Sequence, residues 1–365
     1  MTHSKYRNLP LRYSLLAHLP YTPAGGLLTN SSPPVYQPLS DFDYQSLNLA
    51  LNQELIELDL FHHGLARFSV QEFEDANITA ADRYLIEFMA DQEVGHATLI
   101  SNMLGPNNAS KSCNYSYPFQ TVHEFIQFNE FGSLPLLNYL VTRFGEAGTY
   151  GFLEHLDSRA SAQLVLEAIT TEARQEMIFR QFQGLFAMPF WFTTAITQSM
   201  QWTLMAPYII SCPAENARIE WQNFPALNIT NTPNITELTN ASFPAITQNH
   251  TAFTSPGQNI SLSWESPGKS VGPNNSYTTN TTAGEPKFAA WISQLNTTYT
   301  PLTNVSGHTA YTTQPGGEIY GNNTFSTING TIFVVITDSD PYVTPANLSF
   351  INQHVVAGPA YYFAG

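Results

Sequence analysis

Four glutamates and one histidine fall at spacings that could surround a metal ion. In the segment from Asp41, the apolar residues Leu47, Leu51, Leu58, Phe61, Leu65 and Phe68 recur in alternating steps of four and three, and Glu54 takes one place in that stripe. Glu57 falls off it. A second segment repeats the pattern with Met89, Glu93, His96, Ile100 and Met103, which makes the carboxylate and imidazole of Glu93-x-x-His96 neighbours on the core-facing side. Glu146 lines up with Tyr139, Tyr150 and Leu153, and Glu172 with Val165, Ile169, Glu176 and Phe179. An inward acid without a partner would cost several kcal/mol, so each of the four needs a counter-charge or hydrogen-bond partners.

A bundle of four helices holds two cations when two helices each give a Glu and the other two each give a Glu-x-x-His. Glu54, Glu93, His96 and Glu146 follow that scheme, but the last motif reads Glu172-x-x-Gln175. Gln175 is a neutral and weaker donor than imidazole, so the second metal position is expected to be weak or empty, unless Glu176 substitutes from one place along. Oxygen donors with one imidazole suit iron or manganese, whose matching chemistry is redox reaction with oxygen or peroxide. The alternative is a bundle whose buried acids are satisfied by Arg143, Arg174, tyrosine hydroxyls and water. His62 and His63 are adjacent and point to different faces, which reads as surface or capping. Asp338-Ser339-Asp340-Pro341 lacks the remaining ligands of a calcium loop and reads as a turn.

The elements that must position these groups follow from periodicity. Residues 1–40 carry Pro20, Pro23, Gly25, Gly26, Pro33, Pro34 and Pro38 and read as an extended lead-in. Helices are expected over Phe42–Phe68, Ala80–Leu104 with Thr79 as N-cap, Leu134–Leu156 and Ala160–Phe186, with shorter ones at Val122–Phe128 and Thr194–Leu204. Gly145, Gly148 and Gly151 would let a neighbouring backbone come close to the third long helix. Residues 41–225 thus form a helical bundle. After Pro225 the composition turns to Asn, Thr, Ser, Pro and Gly, with period-two runs at Ile260–Trp264 and Thr331–Ile336. Further strands are expected at Ala289–Ile292, Tyr311–Thr313, Glu318–Tyr320 and His354–Val356, so residues 226–365 read as a small antiparallel β-sandwich and the chain as a multi-domain α+β protein.

Composition narrows the partners. Charged residues make up only 11% of the chain against 13% aromatic, and the formal net charge of −15 disfavours nucleic acid. No apolar run reaches the ~20 residues of a membrane-spanning helix. Asn-x-Ser/Thr acceptors number roughly sixteen and crowd after Asn228, which points to N-linked glycans and a secreted or cell-surface protein. A signal peptide is not evident, since Leu15, Leu16 and Ala17 are too short an apolar run. Cys113 and Cys212 would form one disulfide in an oxidising compartment, or stand as two buried thiols otherwise.

The segments Leu49-Ala50-Leu51-Asn52-Gln53-Glu54, Asp91-Gln92-Glu93-Val94-Gly95-His96 and Thr171-Glu172-Ala173-Arg174-Gln175 resemble the ferritin-like domain of fungal secreted stress-response proteins of the Rds type, related to a fungal sexual-development protein. Tyr21–Gly26, Ser211-Cys212-Pro213, Trp221–Pro225 and Val355–Pro359 extend the resemblance to nearly the whole chain. It implies a ferritin-like bundle, export, induction under stress or starvation, no established enzymatic reaction, and Gln175 as a normal feature of this branch. A different class of function is a glycosylated surface protein that keeps the bundle as scaffold and uses the β domain for adhesion to cell-wall components. Storage of iron in a closed cage is disfavoured, because glycans and the β domain would obstruct a shell.

Overall fold

A serine hydroxyl starts the first helix. In a computed structural model that describes residues 35–130, 141–232, 254–316 and 328–364, Ser40 accepts the Asp43 amide hydrogen at the head of α1 (Asp41–Arg67). A six-residue helix, α2 (Val70–Asp75), follows; it has too few turns for an apolar period to show, and its sequence signal is the Ser69-x-x-Glu72 capping box. Thr79 and Asp82 cap α3 (Ala80–Leu104) reciprocally, and Gly105, at φ 83°, ends it. Then come α4 (Val122–Glu130), α5 (Val141–Leu153), α6 (Arg159–Phe182) and α7 (Gln198–Met205). Helices α1 and α6 each pack on both α3 and α5, which closes a four-helix bundle, while α4 lies on α5 and α6 and α7 on α5 and α1.

Helix α5 ends at Leu153, not Leu156, and residues 134–140 of that expected helix lie outside the described residues. Two other helix ends differ from expectation for local reasons. Helix α6 stops at Phe182 because Gly184 turns to φ 67°, and the Leu185 and Gly184 N–H groups donate to the carbonyls of Arg180 and Gln181. Helix α7 begins at Gln198, not Thr194, because the Ile196 N–H donates to Ala147 O and keeps that stretch extended. The same stretch explains one glycine of α5: a Cβ on Gly151 would collide with the Ile196 carbonyl oxygen. At Gly145 and Gly148 the close neighbours are instead the side chains of Gln53 and Gln201. Gly151→Ala should therefore lower unfolding stability by about 1–3 kcal/mol, the usual cost of overpacking. Chemical denaturation checks this, and an unchanged midpoint would refute the close approach.

The β region is a sandwich that borrows the bundle as a third layer. The first strands form a ribbon, β1 (Asn114–Tyr115) with β2 (Ile209–Ser211), beside the Cys113–Cys212 disulfide that ties the α3–α4 connection to the segment after α7. One antiparallel sheet then takes the order β3-β4-β10-β9 and the other β12-β11-β7-β8. Their strands are β3 (Leu227–Ile229), β4 (Asn259–Trp264), β7 (Phe288–Ser293), β8 (Asn296–Pro301), β9 (Thr303–Ser306), β10 (Thr309–Thr313), β11 (Gly330–Thr337) and β12 (Val355–Ala364); β5 (Ser270–Val271) and β6 (Tyr277–Thr278) make a separate ribbon. The strand expected at Glu318–Tyr320 lies outside the described residues, and His354 closes a short helical turn ahead of β12.

Every residue of β11 and β12 is buried, although a two-layer sandwich would leave one face wet. Alternate residues go to two cores: Ile332, Val334 and Ile336 face the other sheet with Trp291 and Tyr362, while Phe333 and Val335 join the helical core with Phe363. The helical and β-rich parts therefore share apolar contacts within one compact unit, residues 36–365. Among the described residues, no helix is long and apolar enough to cross a membrane.

Candidate metal centre

Helix α1 is the axis of the site, and it is locked at its head. The Asp43 carboxylate accepts the N–H of Asp157 at 2.8 Å and of Ser158 at 3.0 Å, tying α1 to the start of α6. Further along, Gln53 donates to Val141 O at 2.9 Å and so fixes α1 against α5. From Ser46 to Glu57 nearly every residue is buried, because α3, α5 and α7 cover α1 on all sides.

Three helices deliver four groups to one interior point. Glu54 from α1, Glu93 and His96 from α3 and Glu172 from α6 each place a ligand atom within 4.8 Å of the others, and all four residues are buried. His96 Nδ1 lies 3.1 Å from Glu54 Oε2, 3.1 Å from Glu93 Oε2 and 3.9 Å from Glu172 Oε1. On the other side of the ring, Nε2 is 2.9 Å from the Thr171 hydroxyl, which donates its own hydrogen to Ala168 O at 2.8 Å. The threonine oxygen therefore accepts from Nε2–H, and Nδ1 is the nitrogen turned toward the acids. Such orientation by an outer partner is usual for a ligand histidine.

The charges crowd. Burial lifts the Glu54 carboxyl to about 8, against the opposing pull of His96 and with some help from Glu93. Glu57 and Glu172 are raised well above the ordinary carboxylate range, first by burial and then by neighbouring glutamates. Burial works against the His96 cation too, but the hydrogen bonds to Glu54 and Glu93 outweigh it and raise the imidazole to about 11. Tyr150 is pushed up to about 12 by burial and then by Glu146, Glu172 and Glu176. Neither oxygen of Glu57 and not Oε2 of Glu172 has a hydrogen-bond partner of ordinary geometry, although the Gln53 amide is close enough to ease the Glu57 charge slightly. Buried acids with orphaned oxygens around one imidazole are a donor set that fits a hard or borderline divalent cation.

Of the other two expected ligands, Glu146 is turned to Arg143 and Gln175 sits against the cluster. Glu146 Oε2 accepts from Arg143 Nη1 at 2.5 Å and Oε1 from the Thr193 hydroxyl at 3.2 Å. The same Arg143 nitrogen is 3.0 Å from Glu176 Oε2, so the guanidinium joins α5 to α6. Gln175 turns its amide nitrogen to Glu93 Oε1 at 2.6 Å. Glu57, off the α1 stripe, is fully buried beside the cluster, and Thr171 is a positioning residue that no spacing announces. His62 and His63 are exposed, and Asp338 accepts from Gly284 N–H beside His354 in the turn after β11.

The ferritin-like domain family matches residues 42–185 of this chain. Protein rds1 of Schizosaccharomyces pombe is 52% identical over 357 residues, which covers 94% of this chain and 86% of that protein.

Proposed function

Because the chain belongs to the family of the Schizosaccharomyces pombe protein rds1 and carries a ferritin-like domain, we propose that it is an exported stress-response protein binding iron or manganese at Glu54, Glu93, His96 and Glu172. The convergence of those four buried groups within 4.8 Å carries the metal reading. Either metal, held by oxygen-rich ligands, supplies redox chemistry toward oxygen or peroxide when bound. The chain's own part is to keep the site dry, to point His96 Nδ1 inward through Thr171, and to hold Glu57 beside it as a buried carboxyl able to carry a proton.

The decisive measurement is metal per chain by mass spectrometry after anaerobic loading with Fe(II) or Mn(II) and desalting. Wild type should retain metal and Glu93→Ala should retain none. A wild-type protein that keeps neither metal would leave the bundle as a scaffold and end the metalloprotein reading.

Export is supported by the Cys113–Cys212 disulfide, which persists in oxidising compartments. It is supported also by glycosylation acceptors at Asn77, Asn108, Asn114, Asn259, Asn274, Asn280 and Asn304, all exposed. Treatment of protein from its native source with a peptide N-glycosidase should lower its mass in several steps; a single unshifted species would count against export.

A further inference from the structure

We propose that Arg143 occupies the second cation position of the bundle, so that the centre takes a single metal ion; this rests on the metal-binding reading above. A two-ion bundle would seat its second cation among Glu93, Glu146, Glu172 and residue 175. Each group that only the second ion would use is committed to the protein instead. Glu146 receives Arg143 Nη1 at 2.5 Å on one oxygen and the Thr193 hydroxyl on the other. Residue 175 is glutamine, and it presents N–H to Glu93 Oε1 at 2.6 Å where a ligand would present a lone pair. Its oxygen, the atom that could bind a metal, finds no partner.

At Glu146 the guanidinium meets the electrostatic need that an ion would otherwise meet. Arg143 is fully buried, bridges Glu146 and Glu176, and carries the Phe190 ring against its guanidinium carbon at 4.7 Å. Arginine stays protonated at any pH a protein meets, so this positive charge is permanent. It also cannot change valence. A single ion beside a fixed guanidinium would supply one redox-active centre, where a carboxylate-bridged pair would supply two.

Loading with Mn(II) and electron paramagnetic resonance tests this without any activity assay. Wild type should hold about one ion per chain and give the six-line spectrum of an isolated ion. Arg143→Ala combined with Gln175→His should hold about two and give the broadened spectrum of a coupled pair. Gln175→His alone should stay at one, because the arginine remains, and this variant decides the matter if the double variant does not fold. Two coupled ions in wild type, two in Gln175→His, or one in a folded double variant would each overturn the role of Arg143 while leaving metal binding intact. No ion in wild type would overturn both.

Discussion

Raising the pH of the metal-free protein from about 4.5 to about 8 should lower its stability by on the order of 5 kcal/mol or more, and divalent metal should reverse the loss at the upper end. Glu54 titrates near 4.5 when unfolded and about 8 when folded, while Glu57 and Glu172 are raised well above 4.5. Above the unfolded value the unfolded chain gives up protons that the folded chain keeps, so each group subtracts about 1.4 kcal/mol per pH unit until its folded value is passed. The stabilisation is complete below 4.5 and lost as pH rises. His96 acts in the same direction over a later window, from 6.5 toward about 11. Metal binding displaces these protons, so its affinity should climb with pH as the apoprotein weakens. Thermal unfolding across this range, with and without Mn(II), makes the comparison. Glu57→Gln should flatten the slope and be more stable than wild type at pH 8 without metal. A metal-free stability that holds level or rises between pH 4.5 and 8 would show that these carboxyls are not buried together.

What the sequence discloses about the site is set by how evenly each helix is covered. Glu93 and His96 lie on a helix with one wet face, where Tyr84, Phe88 and Val94 stand exposed, so a single buried stripe finds them. Helix α1 has no such face over Ser46 to Glu57, and a stripe method reports Glu57 as outside when it is inside. Thr171 is silent for another reason: its role is a hydroxyl meeting a ring from a different helix, and no spacing along one chain encodes that distance. Arg143 was half legible. Its i,i+3 spacing to Glu146 is local, but the bridge to Glu176 depends on how α5 meets α6.

The same limit governs the sheet. The run Thr331–Ile336 announces a strand, and turn residues announce its ends, but whether alternate side chains meet water or a second core depends on a layer that lies far away in sequence. The chain reads as helix followed by strand. It folds with the central sheet gripped between helices and a second sheet, which is why β12 can be apolar along its entire length.

Arg143→Met should cost the metal-free protein about 3–5 kcal/mol, the usual loss when one partner of a buried ion cluster is removed. Methionine fills much of the volume and keeps contact with Phe190, so the loss would be electrostatic: Glu146 and Glu176 would stay interior with no counter-charge from Arg143. Adding Glu146→Gln and Glu176→Gln to Arg143→Met should then recover most of the stability, since a buried ion cluster replaced as a whole by neutral groups is often no less stable than the original. Urea unfolding at neutral pH gives both numbers. A single-variant loss under about 1 kcal/mol would mean the two carboxylates find other partners and the guanidinium is not their counter-ion. If the triple variant is no better than the single one, the arginine matters for shape instead of charge, because only a charge deficit can be cured by neutralising the acids it leaves behind.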